Sequence, residues 1–508
     1  MNKEVNKPMN ENTTRKNVLS GLVWKLLERG GDQVIQFVIQ LLLARLLLPE
    51  DYGLIALITI FIALANVFIQ TGFTTALIQA KEVDEIDYAS AFYFSSFLTV
   101  LLYLLLFLAA PAIADFYEKA QLIPVVRVLA LSLFCGPLNS IQYAVVSRNL
   151  EFKKFFFSSL GGTLFSGVLG VYLAYKGFGV WALVAQQLSN IFIDTIVLWF
   201  TVSWRPIWAF SFERINKLLS FGWKMLFSTM LDTLYTNSYG LVIGKVISPA
   251  MLGYYNRANQ FPSIIVNNVN NSLSTVLFPV MSASQEDKPR IRSMMQRSLE
   301  VSSLIIFPLM TGLIICAKPL VLVMLTEKWL ASVSLIQLIS LAYAFYPLHI
   351  TNIVAISSLG KSELILKLEI VKRVFSLFCL FISIPFGIFV IVAFEPLISI
   401  GTFILNARQN KRLLGYGVKE QLSTISPYLV LSIMMGIIVY PLAYLPIGSL
   451  ATLTLQAATG ATFYIVASLM NKNNSIHYLL ATAKELLWRK SMKKRPEQIT
   501  TNRREYDE

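Results

Sequence analysis

Ionisable and amide side chains recur at helical spacing inside segments that are otherwise apolar. Between residues 19 and 47, Lys25, Arg29, Asp32, Gln36 and Gln40 follow one another at steps of three and four, which aligns them on one helix face. Residues 218–246 repeat the pattern with Lys224, Ser228, Asp232, Thr236 and Tyr239. Residues 253–283 carry Asn256, Gln260, Ser263, Asn267, Asn270 and Ser274. A charged side chain at the centre of a bilayer costs about 3 kcal/mol or more unless it meets water or a partner, so such stripes line a bundle interior or a hydrated cavity. The chemistry they suit is reversible binding of a polar ligand. Guanidinium and ammonium groups match phosphate oxygens, which makes Lys25, Arg29, Lys224 and Arg257 candidates for a diphosphate. Amides such as Gln260 and Asn267 donate and accept at once, which suits a ligand dense in hydroxyls, although amides also join helices to each other. Asp32 and Asp232 complete the candidate cavity. Asp194, His349 and Glu395, each inside an apolar run, are candidates for coupling to a cation or proton. His349 beside Pro347 equally suits a hydrogen bond within the bundle, and Arg257 near a helix end can snorkel to the surface.

Several chemistries find no support. No GxxxxGK[ST] loop, HExxH or CxxC is present, so neither nucleotide hydrolysis by that route nor a metal centre is expected, and no cofactor is. The three cysteines, Cys135, Cys316 and Cys379, lie in apolar runs where each acts as a small hydrophobe. A polar start followed by nearly thirty apolar residues without a small-residue cleavage site does not read as a removable signal peptide. The longest outer connection, about residues 114–122, is too short to hold an acceptor for extramembrane glycosyl transfer, which argues against an enzyme.

The elements that must position these residues are transmembrane helices. The chain of 508 residues is 55% hydrophobic and only 14% charged, where a soluble domain carries about a quarter charged residues. Its mean hydropathy is +0.61. Apolar runs long enough to span hydrocarbon recur from Leu19 to Met470 and predict about fourteen helices, near 19–47, 53–78, 89–113, 123–147, 157–175, 180–202, 218–246, 253–283, 299–325, 333–359, 374–387, 390–407, 425–445 and 450–470. The eleventh and twelfth are parted only at Pro385 to Gly387. With the N-terminus in the cytoplasm, cytoplasmic segments hold 32 Lys and Arg and the opposite face three, a bias that fixes orientation and an even number of crossings. The net charge of +14 is therefore topological, and no nucleic-acid partner is expected. The basic tail after Met470 fixes topology and suits contact with anionic headgroups.

An internal repeat links the two halves. LLLARLLLPEDYG at 41–53 aligns without gaps with LVIGKVISPAMLG at 241–253, so that Pro49 matches Pro249 and Gly53 matches Gly253 at an offset of 200. Ser20 and Ser220, and Asp32 and Asp232, keep the same offset. Six helices separate the copies, an even number, so duplicated halves are related by an axis along the membrane normal, a transporter plan with its substrate site between lobes. The expected fold is an all-α polytopic membrane protein with two pseudo-symmetric six-helix lobes plus two C-terminal helices. The expected divisions are a polar cytoplasmic N-terminus at 1–18, an N-lobe at 19–202, a C-lobe at 203–407, two further helices at 408–470 and a basic cytoplasmic tail at 471–508.

LLLARLLLPEDYGLIAL, FGWKMLFSTMLDTLYTNSYGLVIGKVISPAMLGYYNRANQF and the span pattern up to Met470 resemble the polysaccharide transporter family of the multidrug, oligosaccharidyl-lipid and polysaccharide exporter superfamily, and within it the bacterial exopolysaccharide and O-antigen flippases. That resemblance implies two lobes in a V, alternating access, and movement of undecaprenyl-diphosphate-linked repeat units across the bacterial cytoplasmic membrane. It implies a lipid-linked oligosaccharide substrate, contact with membrane lipids, and polysaccharide polymerase and glycosyltransferases as partners. Family members place basic residues in the N-lobe cavity, a pattern Lys25 and Arg29 match by position, with Lys224 and Arg257 in the other lobe. Two rival functions remain: a cation-coupled multidrug exporter of the same superfamily, which Asp32 and Asp232 permit, and a membrane-embedded polysaccharide polymerase.

Overall fold

The computed structural model describes residues 11–80, 83–149 and 151–470, with the side chains of residues 11–23, 26–29, 71, 72, 221 and 224 outside the description. Of the sequence expectations, the Arg29 and Lys224 side chains, most of the N-terminal segment and the basic tail lie outside the described residues. Among the described residues there are helices and no strands. They run in order as α1 (Glu11–Leu46), α2 (Pro49–Gln79), α3 (Glu85–Tyr117), α4 (Leu122–Asn149), α5 (Lys153–Tyr175), α6 (Val180–Thr201) and α7 (Phe212–Val242). These are followed by α8 (Pro249–Ser282), α9 (Lys288–Met324), α10 (Ser332–Ser358), α11 (Ser362–Ser383), α12 (Ile388–Leu414), α13 (Val418–Tyr444) and α14 (Ser449–Met470). By length and composition ten of them are apolar enough to cross a membrane. The other four, α1, α7, α8 and α11, carry the polar stripes or, in α11, a run of charges.

The helix ends follow from local chemistry. Asp84 and Asp87 cap α3 reciprocally: the Asp87 N–H donates to Asp84 Oδ1 at 2.9 Å and the Asp84 N–H to Asp87 Oδ2 at 3.0 Å. Ser211 caps α7 through the Arg214 N–H, and Glu420 accepts from the Gly417 N–H ahead of α13. Between α11 and α12 a single 3₁₀ turn, Ile384–Phe386, leads to Gly387 at φ +83°, so the boundary expected at Pro385 to Gly387 is a true break.

Internal contacts divide the chain into two compact units. One comprises Met1–Asn256 with Met324–Trp329, the other Arg257–Val323 with Leu330–Glu508, so the division falls inside α8. The first has an apolar core around Phe73, Ile141, Leu198, Trp204 and Ile215. The second is centred on Met295, Phe307, Phe403, Tyr428 and Met435.

Within the first unit the two copies of the repeat meet. A Cβ on Gly53 would overlap the Pro249 carbonyl, and a Cβ on Gly253 would overlap the Pro49 carbonyl. The contact is reciprocal, each copy offering its glycine to the other's proline, as expected when duplicated elements pack about a local two-fold axis. Glycine is required here because backbone lies against backbone. Beside it the buried Trp329 donates its indole N–H to the Ala44 carbonyl at 2.8 Å, Arg45 Nε donates to the Met324 carbonyl at 2.9 Å, and Tyr52 and Tyr254 both set ring edges against Trp329.

Candidate functional site

Each unit holds a polar cluster within its apolar helices. In the first, α5 supplies small residues on two faces: Gly162 and Gly170 admit α6, and Gly167 admits Ile39 of α1. The close approach brings hydroxyls and carboxylates together. Thr163 of α5 donates to the Asp32 carboxylate of α1, and Ser158 of α5 donates to the Asp194 carboxylate of α6. Asn190 of α6 joins them, its Nδ2 donating to Thr163 Oγ1 at 3.3 Å and to Ser166 Oγ at 3.2 Å. The two carboxylates lie within electrostatic reach of each other. Among the described residues neither forms an ion pair. Two carboxylates among hydroxyl and amide oxygens form a set of hard donors that a proton or small cation neutralises. Asp32 and Asp194, assigned to different tasks from the sequence, therefore belong to one cluster. Ser158, Thr163 and Asn190 were not singled out; the signal for Ser158 and Thr163 is the run of hydroxyls and glycines from Ser158 to Gly170, a strip of small residues marking a close helix crossing, and that for Asn190 is an amide inside an apolar run.

In the second unit, α10, α11 and α12 bring His349 and Glu395 into one neighbourhood. His349 Nε2 and Ser399 Oγ are 2.9 Å apart, and Ser399 donates to the Ala342 carbonyl at 2.9 Å. Glu395 lies one turn before Ser399 on α12 and is within electrostatic reach of Tyr343, which hydrogen-bonds Asn259. Tyr343 stacks on Tyr346 with centroids 4.5 Å apart, and Tyr346 sets its ring against His349 at 5.7 Å. Lys372 of α11, paired with Glu369, lies within electrostatic reach of His349. His349 is thus hydrogen-bonded inside the bundle, within reach of the Lys372 charge and one ring away from Tyr343 and its neighbour Glu395.

The remaining candidates are distributed. Arg257 is buried and its guanidinium donates to Gln260 one turn on, while Asn267, two turns further along α8, is exposed. All three fall in the second unit. Asp232 is exposed on α7 in the first unit. Lys25 sits with its ammonium over the rings of Phe152 and Tyr143, 4.9 and 5.8 Å from their centroids.

Comparison with known proteins accords with this architecture. The model of a family described as polysaccharide biosynthesis protein matches residues 42–334. The teichuronic acid biosynthesis protein TuaB of Bacillus subtilis (strain 168) is 26% identical over 89% of this chain and 95% of its own length. The succinoglycan biosynthesis transport protein ExoT of Rhizobium meliloti (strain 1021) is 26% identical over 66% of this chain and 68% of its own. Among solved structures, the lipid II flippase MurJ in an inward closed conformation has the same fold, with a TM-score of 0.71 at 14% identity, covering 89% of this chain and 99% of that one.

Proposed function

The chain belongs to this polysaccharide biosynthesis protein family, and from that premise we propose that it is a flippase for lipid-linked oligosaccharides. Its cargo is an undecaprenyl-diphosphate-linked repeat unit, moved by alternating access from the cytoplasmic to the outer leaflet of a bacterial cytoplasmic membrane for assembly of a surface polysaccharide. Both termini are cytoplasmic, and the chain performs no catalysis of its own. The observation that carries the reading is the match to relatives named for making and transporting surface polysaccharides, one of which aligns over nearly the full length of both chains. The polar clusters within the apolar helices support it, since ionisable groups are costly in a bilayer and mark substrate or ion pathways. In this scheme Lys25, Arg29, Lys224 and Arg257 are cation contacts for the diphosphate, Gln260 and Asn267 contact sugar hydroxyls, and Asp232 lines the same path. Asp32 with Asp194, and His349 with Glu395, couple the cycle to a cation or proton. Polymerase and glycosyltransferases supply and consume the cargo.

The test is a flip assay in proteoliposomes with undecaprenyl-diphosphate-linked oligosaccharide offered beside an organic cation. The expected result is saccharide movement that falls at least tenfold in Arg257→Gln without loss of folded protein. The acidic pair Asp32 and Asp194 favours one alternative, a cation-coupled multidrug exporter. Movement of the organic cation alone would establish that alternative and overturn the flippase assignment.

A further inference from the structure

At the cytoplasmic end of the first unit, α1, α4 and the start of α5 build a platform of alternating lysines and aromatic rings. The Lys25 ammonium lies over Phe152 and Tyr143, and the Lys153 ammonium over Trp24 and Phe157 at 5.4 and 5.8 Å from their centroids. The rings brace one another: Trp24 packs on Phe156 at 5.4 Å and on Phe157 at 6.2 Å, and Tyr143 stacks on Phe155 at 5.0 Å with planes 20° apart. The neighbouring carboxylate, Glu151, is taken by Lys154 at 2.6 Å. Among the described residues neither Lys25 nor Lys153 forms an ion pair. Tyr143 and Phe157 remain 41% and 51% exposed, so their rings stay open to a ligand.

Two ammonium groups held by rings, with no ion pair among the described residues, differ from the freely moving lysines of an ordinary membrane-facing surface. Each ring pair limits the rotamers of its lysine, so less side-chain entropy is lost when an anion arrives. Lys153 opens α5, and Lys25 lies 21 residues before Leu46 at the far end of α1, a helical rise of about 30 Å that matches the hydrocarbon thickness; on the cytoplasmic orientation proposed above this is the depth of lipid phosphates.

We infer that Lys25 and Lys153, with Trp24, Tyr143, Phe152 and Phe157, form a docking site for a lipid phosphate headgroup of the cytoplasmic leaflet. The ammonium groups contact the phosphate oxygens, and the open ring faces cover the adjoining apolar or saccharide part. If the flippase reading above holds, the natural occupant is the diphosphate of the lipid-linked cargo before translocation; that source rests on the reading, while the site itself does not.

The experiment uses the full chain in phosphatidylcholine nanodiscs, with binding of undecaprenyl diphosphate, phosphatidylglycerol and inorganic pyrophosphate followed by native mass spectrometry. Each surface lysine strengthens binding to an anionic headgroup about fivefold, so the double variant Lys25→Gln with Lys153→Gln should bind roughly thirtyfold more weakly. The Lys25→Arg with Lys153→Arg variant should bind like wild type and shows that folding is intact. A loss confined to undecaprenyl diphosphate supports the site and assigns it to cargo. An equal loss for phosphatidylglycerol supports it and assigns it to the anionic leaflet. Unchanged affinity for both lipids, or an effect on pyrophosphate alone, overturns it. Saccharide flipping is read separately on the same samples: charge-dependent lipid binding without flipping sinks the flippase reading and spares the site, and flipping with unaltered lipid binding in the Gln variant does the reverse.

Discussion

Replacing Gly53 with alanine tests whether the two copies of the repeat are locked backbone to backbone. The added Cβ strikes the Pro249 carbonyl group, and no rotamer change can move a backbone atom aside. Overpacking of this kind costs about 1–3 kcal/mol, and the rigid obstacle puts Gly53→Ala toward the upper end. Alanine returns up to about 1 kcal/mol of helix propensity, which leaves a net loss of about 1–2 kcal/mol. For a cooperative unit of this size each kcal/mol shifts the midpoint by roughly 2–4 °C, so the thermal midpoint in nanodiscs should fall by about 2–8 °C. Gly312→Ala on α9 is the reference: no heavy atom lies within 4 Å of its added Cβ, so the same chemical change should leave the midpoint level or raise it. Gly253→Ala, which strikes Pro49, should cost as much as Gly53→Ala. The double variant should cost less than the sum, because either change alone already parts the two helix starts. A Gly53→Ala midpoint equal to that of Gly312→Ala would refute the reasoning, and so would strict additivity in the double variant.

Further outcomes follow from the polar contacts. Asn190→Leu removes both amide donors to Thr163 and Ser166 while leaving Asp32 and Asp194 in place; the cation or proton dependence of flipping should weaken more than binding of cargo, measured as transport against an imposed gradient. Asn352→Leu in the second unit deprives the buried Gln421 and Asn410 of their shared partner, at 2.8 and 2.7 Å, and should cost about 2–4 kcal/mol, read as a fall in thermal midpoint. At Asp84, outside the spans, burial raises the carboxyl pKa, but the Asp87 hydrogen bonds and the Arg214 guanidinium 3.0 Å away outweigh it and hold the group below its ordinary range. A depressed carboxylate stabilises above its unfolded pKa of about 3.9 and loses that contribution as pH falls through its folded value. The midpoint should therefore drop on acidification below about pH 4, and less steeply in Arg214→Gln.

How much of this was legible in the sequence differs from residue to residue. Asp32 and its helix face could be read because the 3.6-residue period is a local property. Its partner Thr163 lies 131 residues away, and which helices neighbour one another is set by packing that no window of sequence contains. The glycines of α5 marked a close crossing without saying what crosses. Pro385 and Gly387 gave their break directly, since a residue at φ +83° and a ring lacking an N–H act on their own chain. The offset of 200 was visible, but the reciprocal contact of Gly53 and Gly253 was not, because symmetry of sequence does not state where the axis runs. Lys25 was placed in a cavity for its charge, and its bracketing by Phe152 and Tyr143 needed the fold.

Three of the helices that carry candidate chemistry are too polar to be recognised as spans by composition, while Asp194, His349 and Glu395 lie on helices that are apolar enough. α1, α7 and α8 hold Lys25, Asp32, Asp232, Arg257 and Gln260, and none of the three is apolar enough to be counted as a span by composition. The two facts have one cause. Each charged or amide residue on such a helix raises the cost of placing it in hydrocarbon, so the helix is stable at depth only with neighbours that hydrogen-bond those groups or with water beside them. Thr163 does this for Asp32, and Gln260 does it for Arg257. The ten apolar helices have long lipid-compatible stretches between their few polar contacts, whereas these three depend more heavily on such partners. Substitutions at Thr163 or Gln260 should therefore lower membrane-integrated yield, counted by protease protection of the chain, more than equally conservative changes at the exposed Val168 or Leu309; equal yields would mean that the polar helices hold their depth without those partners.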